Sequence, residues 1–148
     1  LYVTQASPIQ MAGDVPESYM KHPEAFQFIK DVALDWQKSV YLAAEPGDYI
    51  VTARQAKDTG EWFVGGVTDE NAREMTICFD FLEPGRKYVA KVYSDAPDAD
   101  GVNNTAETGS EACARYRIEE KKVTSKTKMK IRMAPSGGFA ISIKLDTR

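Results

Sequence analysis

Hydrophobic and polar positions follow two different rhythms along this chain. From Pro23 onward, Ala25, Phe26, Phe28, Ile29, Val32, Ala33 and Trp36 fall in one apolar arc when laid on a helical wheel, with Gln27, Lys30, Asp31 and Asp35 opposite. This predicts an amphipathic helix over 23–35, opened by His22-Pro23-Glu24, with proline in its first turn and an early acid at the positive end of the helix dipole. Ser7-Pro8 predicts an earlier helix start, and residues 13–22, with Gly13, Asp14, Pro16 and Ser18, read as a loop.

From Ser39 the period becomes two. Met75, Ile77, Phe79 and Phe81 alternate with Thr76, Cys78 and Asp80; Tyr88, Ala90 and Val92 alternate with Val89, Lys91 and Tyr93. Met129, Ile131 and Met133 interleave with Lys128, Lys130 and Arg132, and Phe139, Ile141, Ile143 and Leu145 with Ala140, Ser142, Lys144 and Asp146. Such alternation puts one face of a strand on a core and the other in water, as in antiparallel sheets. Glu45-Pro46-Gly47-Asp48, Asp58-Thr59-Gly60, Glu83-Pro84-Gly85 and Pro135-Ser136-Gly137-Gly138 supply the turns. The expected fold is mainly β: about seven short strands in an antiparallel β-sandwich, preceded by a short helical segment. Asp95 to Cys113 is polar and reads as a long loop. The change of rhythm places a boundary near 37–40, dividing a helical segment, 1–38, from a β domain, 39–148.

Composition narrows the function classes. At 148 residues, 43% hydrophobic and 28% charged, the chain is globular rather than disordered. A formal net charge of −3 speaks against a nucleic-acid partner. No apolar run approaches the ~20 residues of a membrane span. The start Leu1-Tyr2-Val3-Thr4 lacks a basic stretch and an apolar core, so no signal peptide is expected in these residues, and a start in mid-pattern reads as a piece of something longer. One histidine, His22, and two cysteines, Cys78 and Cys113, are too few for a zinc finger or a multi-histidine metal site. No metal ligand set is assigned. A histidine-based triad would have only His22 to use, and no G-x-S-x-G elbow is present.

The remaining candidates each have two readings. Asp14, Glu17, Asp69, Glu70, Glu119 and Glu120 are the carboxylates that hydrolytic chemistry could draw on. Asp69-Glu70 reads better as a turn, and Glu119-Glu120, beside Lys121-Lys122, as solvated surface. His22 is better placed as a local residue at a helix start than as an acid–base catalyst. Lys126, Lys128, Lys130 and Arg132 form a basic row that would bind anions or, the favoured reading, guard a strand against edge-to-edge association. Trp62, Phe63, Tyr88, Tyr93 and Tyr116 would either stack on sugars or fill the core, with Trp62 the leading stacking candidate. Cys78 and Cys113 could form a disulfide in an oxidising compartment, and nothing in their spacing demands one.

Several segments together resemble one family. Ser7-Pro8-Ile9-Gln10-Met11-Ala12, Pro16-Glu17-Ser18-Tyr19, Phe26 to Asp31, Gly47-Asp48-Tyr49-Ile50 and Glu61 to Glu70 look like glycoside hydrolase family 97. Phe81 to Gly85, Val123 to Lys126 and Ala134 to Ile141 extend the likeness in the same order. The stretch from Gly101 to Ala114 departs from it.

The resemblance implies a large α-glucosidase or α-galactosidase with an N-terminal β-super-sandwich, a central (β/α)8 barrel and a C-terminal antiparallel β domain. Residues 1–38 would be the end of the barrel, and 39–148 the C-terminal domain. Catalytic carboxylates and calcium ligands would lie upstream, leaving no catalytic residue here. Gln10, Met11 and Asp14 would rim the substrate pocket if their segment lies at the C-terminal face of the barrel. The expected role is to pack on the catalytic barrel and to form a homo-oligomer contact, with calcium in the parent enzyme and a periplasmic or cell-surface location. The alternative is a module that binds oligosaccharide on exposed aromatics.

Overall fold

The structure, a computed structural model, describes residues 1–5, 7, 9–99 and 115–147. It contains two short helices, α1 (Pro16–Met20) and α2 (Pro23–Asp31), followed by β1 (Trp36–Glu45), β2 (Tyr49–Ala56), β3 (Trp62–Thr68), β4 (Arg73–Cys78), β5 (Tyr88–Asp95), β6 (Tyr116–Val123), β7 (Lys128–Met133) and β8 (Gly138–Leu145). A six-stranded sheet runs in the order β1-β2-β3-β8-β5-β6, and β4 and β7 form a second sheet of two strands. All pairings are antiparallel. The mainly β architecture expected from the alternation is therefore present, with eight strands among the described residues instead of about seven.

Register explains the main core. Ala53, Val64, Ile141 and Val92 are direct partners across β2, β3, β8 and β5, and all face inward. Ile77, Met129, Ile131 and Met133 come down on them from the two-stranded sheet, and Phe79 and Leu82 close one end. The next row has the opposite fate. Tyr41, Thr52, Gly65, Ala140, Tyr93 and Ile118 are partners across all six strands on the outer face. Alternation alone would give this face to water, but the leading segment covers its middle, leaving Tyr41 exposed on β1. Phe28 meets Phe63 and Tyr93 edge-on at 6.2 and 5.2 Å, Trp36 meets Phe63 at 5.8 Å, and Val3 and Val32 complete a second cluster. Gly65 makes this possible. A Cβ there would lie 2.9 Å from Cβ of Val3, so only glycine lets the leader settle onto the sheet.

Arg54 is a buried charged group of this outer layer: its Nε donates to the Val3 carbonyl at 2.6 Å and its terminal nitrogen donates to Ser39 Oγ at 2.9 Å. The outer layer is thus joined to β1 and β2 by hydrogen bonds as well as by rings.

Three local expectations change. Ser7 does not start a helix: its hydroxyl donates to the Ile9 carbonyl at 2.6 Å and accepts from the Ile9 N–H at 3.3 Å, a compact turn that competes with helix. Helix begins instead at Pro16, inside the stretch read as loop, with proline in its first turn and Glu17 beside it. α2 ends at Asp31 rather than residue 35, because the chain is already drawn into the sheet. Val32 is extended, the Lys57 N–H donates to the Asp35 carbonyl at 3.1 Å, and the two side chains form an ion pair at 2.9 Å. Most of the loop expected over 95–113, and with it Cys113 and its pairing with the half-buried Cys78, lies outside the described residues.

Candidate functional site

The leading segment holds the residues expected at a pocket rim. Met11 is 82% exposed, and its carbonyl accepts from the Tyr2 hydroxyl at 3.0 Å. The Gln10 amide donates to the carbonyls of Gln5 and Ser7 at 3.3 and 3.4 Å. Asp14 is exposed, and its carboxylate accepts from the Val15 N–H at 2.7 Å. Backbone bonds thus hold all three in place on a segment whose outer side, with Ile9, Met11, Val15 and Met20, is apolar and exposed. Glu17 lies in the first turn of α1. His22 is the N-cap residue of α2, and its ring meets Tyr116 edge-on at 6.3 Å.

Trp62 requires a correction. It is 4% exposed, tilted against Phe81 at 4.8 Å, with the Lys38 ammonium 5.9 Å from its ring centroid. Its register partner is Ile143 on the inner face of the sheet, so the ring packs in the core and presents no face on which a sugar could stack. Phe63, Tyr88 and Tyr93 are also buried, and of these five candidate rings Tyr116, 37% exposed, is the one that reaches solvent appreciably.

The candidate carboxylates are occupied with structure. Asp69 sits between β3 and β4, where its carboxylate accepts from the Asn71 N–H at 3.0 Å and from Arg73 at 3.1 Å through both oxygens. Arg73 also reaches Asp48 at 3.2 Å and lies over the Tyr49 ring. The Asn71 backbone bond, then its side chain and Arg73, hold the Asp69 carboxyl below the usual carboxylate range. This network ties the β1–β2 turn to the β3–β4 connection. Glu119 is paired with Lys121 at 2.7 Å, which likewise lowers its pKa, and Glu120 is exposed. In the basic row, Lys130 pairs with Glu74 at 3.0 Å and Arg132 points at the carbonyls of Pro97 and Ala99. Lys121 and Lys122 have their own carboxylates in Glu119 and Asp146. Within the row itself, then, Lys130 is the member paired with a carboxylate, and Arg132 is engaged with backbone carbonyls. Among the described residues, no three His, Cys, Asp or Glu side chains gather where they could hold a metal ion.

Sequence reasoning missed Arg54, Arg73 and Asp95. Asp95 Oδ2 accepts from the N–H groups of Ala134 and Gly138 at 2.8 and 2.9 Å and so fixes the β7–β8 turn. The one local signal was the spacing of Asp69 and Arg73, four residues apart. The other contacts join segments from 15 to 51 residues apart.

The chain is thus an antiparallel β-sandwich with a helical leader laid on the middle of one sheet face and with Asp69, Asp95 and Glu119 engaged in structural contacts. Residues 35–144 match the family described as "Glycosyl-hydrolase 97 C-terminal, oligomerisation", and the chain belongs to glycoside hydrolase family 97 as its C-terminal region. It is 38% identical over 144 residues to a retaining α-galactosidase of Bacteroides thetaiotaomicron, covering 97% of this chain and 20% of that protein. A probable retaining α-galactosidase of Streptomyces bingchenggensis is 38% identical over 66 residues, covering 45% of this chain and 10% of that protein. A solved structure of a family 97 enzyme from Pseudoalteromonas sp. strain K8, in complex with acarbose, superimposes with a TM-score of 0.89 at 41% identity, over 98% of this chain and 22% of the enzyme. The chain thus spans about a fifth of the length of these full-length relatives and corresponds to a non-catalytic domain of such a hydrolase.

Proposed function

We propose that the protein containing this chain hydrolyses α-glycosidic bonds, and that this chain serves it as scaffold. In this reading the catalytic carboxylates and the calcium ligands lie upstream, in the barrel. The leader is the layer between barrel and β domain: Val3, Phe28 and Val32 face the sheet, while Ile9, Met11, Val15 and Met20 offer a second apolar side to the barrel. Gln10, Met11 and Asp14 would then stand at the edge of the substrate pocket. The domain also contributes a contact between copies of the enzyme, in keeping with the family description. The periplasm or the cell surface is the proposed location.

The observation that carries this reading is the near-complete superposition of the chain on about a fifth of a family 97 enzyme. The test compares the 148-residue chain with a protein of the relatives' full length, on p-nitrophenyl α-galactoside and α-glucoside. The chain is expected to turn over neither. The longer protein is expected to turn over one or both and to lose that activity to a chelator. Calcium-dependent turnover by the chain alone would overturn the proposal.

A further inference from the structure

We infer that the cleft at one end of the sandwich binds a short, neutral oligosaccharide, away from the leader. The inference rests on the hydrolase reading above for the choice of sugar, and on the following geometry for the site. The cleft measures about 820 Å³ and lies between the inner-face ends of β1, β2, β3, β5 and β8 and the connection from β4 to β5. Small-molecule sites fall in the range of roughly 300–1,000 Å³. Two of the segments that carry the family likeness, at Glu61-Trp62 and at Phe81 to Pro84, form walls of this one space.

Its lining is amphipathic. Phe81 is half-buried, braced behind by Trp62 at 4.8 Å and by Phe79 at 5.8 Å, and Leu145 beside the cleft is 43% exposed. Phe81, not the buried Trp62, is therefore the ring with surface to offer the C–H face of a pyranose. The charged side chains are Lys38, Arg86 and Lys144 against Glu61, Asp80 and Glu83, so the lining is balanced. Lys144 already faces Glu61 at 3.7 Å, and Arg86 faces Glu83 at 3.0 Å. A cleft of zero net charge has no electrostatic preference for an anion or a cation. Its many donors and acceptors suit hydroxyl groups, which both donate and accept. Asp80 is exposed and makes no ion pair with the described residues, so its carboxylate can take two neighbouring hydroxyls. The neighbouring cleft beside β6, lined by Lys121, Lys122 and Lys144 with Glu120 and Asp146, has no aromatic ring and lacks this combination.

The test uses Trp62, which lines the cleft, as reporter. The chain has two tryptophans, and Trp36→Phe leaves Trp62 alone. Maltotriose and raffinose, titrated separately, are expected to give a saturable change in its emission, with a midpoint of about 1–10 mM for at least one of them. Asp80→Ala, at an exposed position that leaves the fold intact, and Phe81→Ala should each raise that midpoint about five-fold or more. No saturable change up to about 50 mM of either sugar, or a change that Asp80→Ala leaves untouched, would overturn the inference. Hydrolysis by the full-length protein is read separately, so a silent cleft in an active enzyme removes this site and leaves the proposed function standing.

Discussion

The two faces of the six-stranded sheet bury residues in different ways. The inner face buries apolar side chains, aliphatic and sulfur-bearing ones together with Trp62, Phe79, Tyr88 and Phe139, and is closed by the partner sheet. The outer face adds polar groups to its rings: Phe28, Phe63, Tyr93 and Trp36 pack at steep angles, Arg54 is buried with hydrogen bonds to Val3 and Ser39, and the buried Thr52 hydroxyl has no hydrogen-bond partner among the described residues. A core that folds with its own strands can be dry. A face closed by a separate segment keeps polar groups and specific hydrogen bonds, as interfaces between domains do. The inner core therefore belongs to the β domain itself, and the outer cluster to its junction with the leader.

Breaking the two faces separately should show that difference. Phe79→Ala removes a fully buried ring from the inner core and is expected to cost about 3–5 kcal/mol, read as one cooperative loss of the whole sheet in a urea melt. Phe28→Ala strikes the outer cluster and should cost about 3 kcal/mol, at the low end of the range for buried rings. Its signature is local: hydrogen exchange should speed up across residues 16–31 while β3, β5 and β8 stay protected. Equal exposure of sheet and leader in that variant would erase the distinction. Arg54→Ala leaves the Val3 carbonyl without its donor and should cost about 1–3 kcal/mol, again confined to the leader.

The smallest effect is alkaline. Burial raises the Tyr93 pKa above 10.0, so the unfolded chain gives up this proton first. Stability from the neutral, buried Tyr93 is thus complete below about pH 10 and declines as pH rises through the folded value. Tyr93→Phe should flatten that decline in a pH series of melting curves, and an unchanged slope would show that Tyr93 does not set it.

Period-two alternation made the inner core readable. Ile77, Met129, Ile131, Ile141 and Ile143 stand where their neighbours said they would. The outer face was unreadable for the same reason: Thr52, Arg54 and Ser142 occupy the alternate positions that normally meet water, and only the leader's arrival buries them. The apolar arc of α2 announced that a helix needed a partner without saying which surface would supply it. Helix ends were misjudged because local chemistry won at Ser7 and the pull of β2 won at Asp35. As for candidate sites, the sequence offers Trp62 as a ring for sugar to stack on, and the ring is buried. Whether a ring faces sugar or core depends on strand register, which no single segment contains.

Asp95 and Gly137 add a constraint on the history of the chain. The Asp95 carboxylate sits where a Cβ on Gly137 would overlap it, and it accepts the two N–H groups that fix the turn. A side chain at 137 would expel the carboxylate and would also meet the Ala134 carbonyl at 2.9 Å, so glycine stays favoured there even without Asp95. The dependence therefore runs one way: in related sequences an aspartate at 95 should come with a glycine at 137, while the glycine can outlast the aspartate.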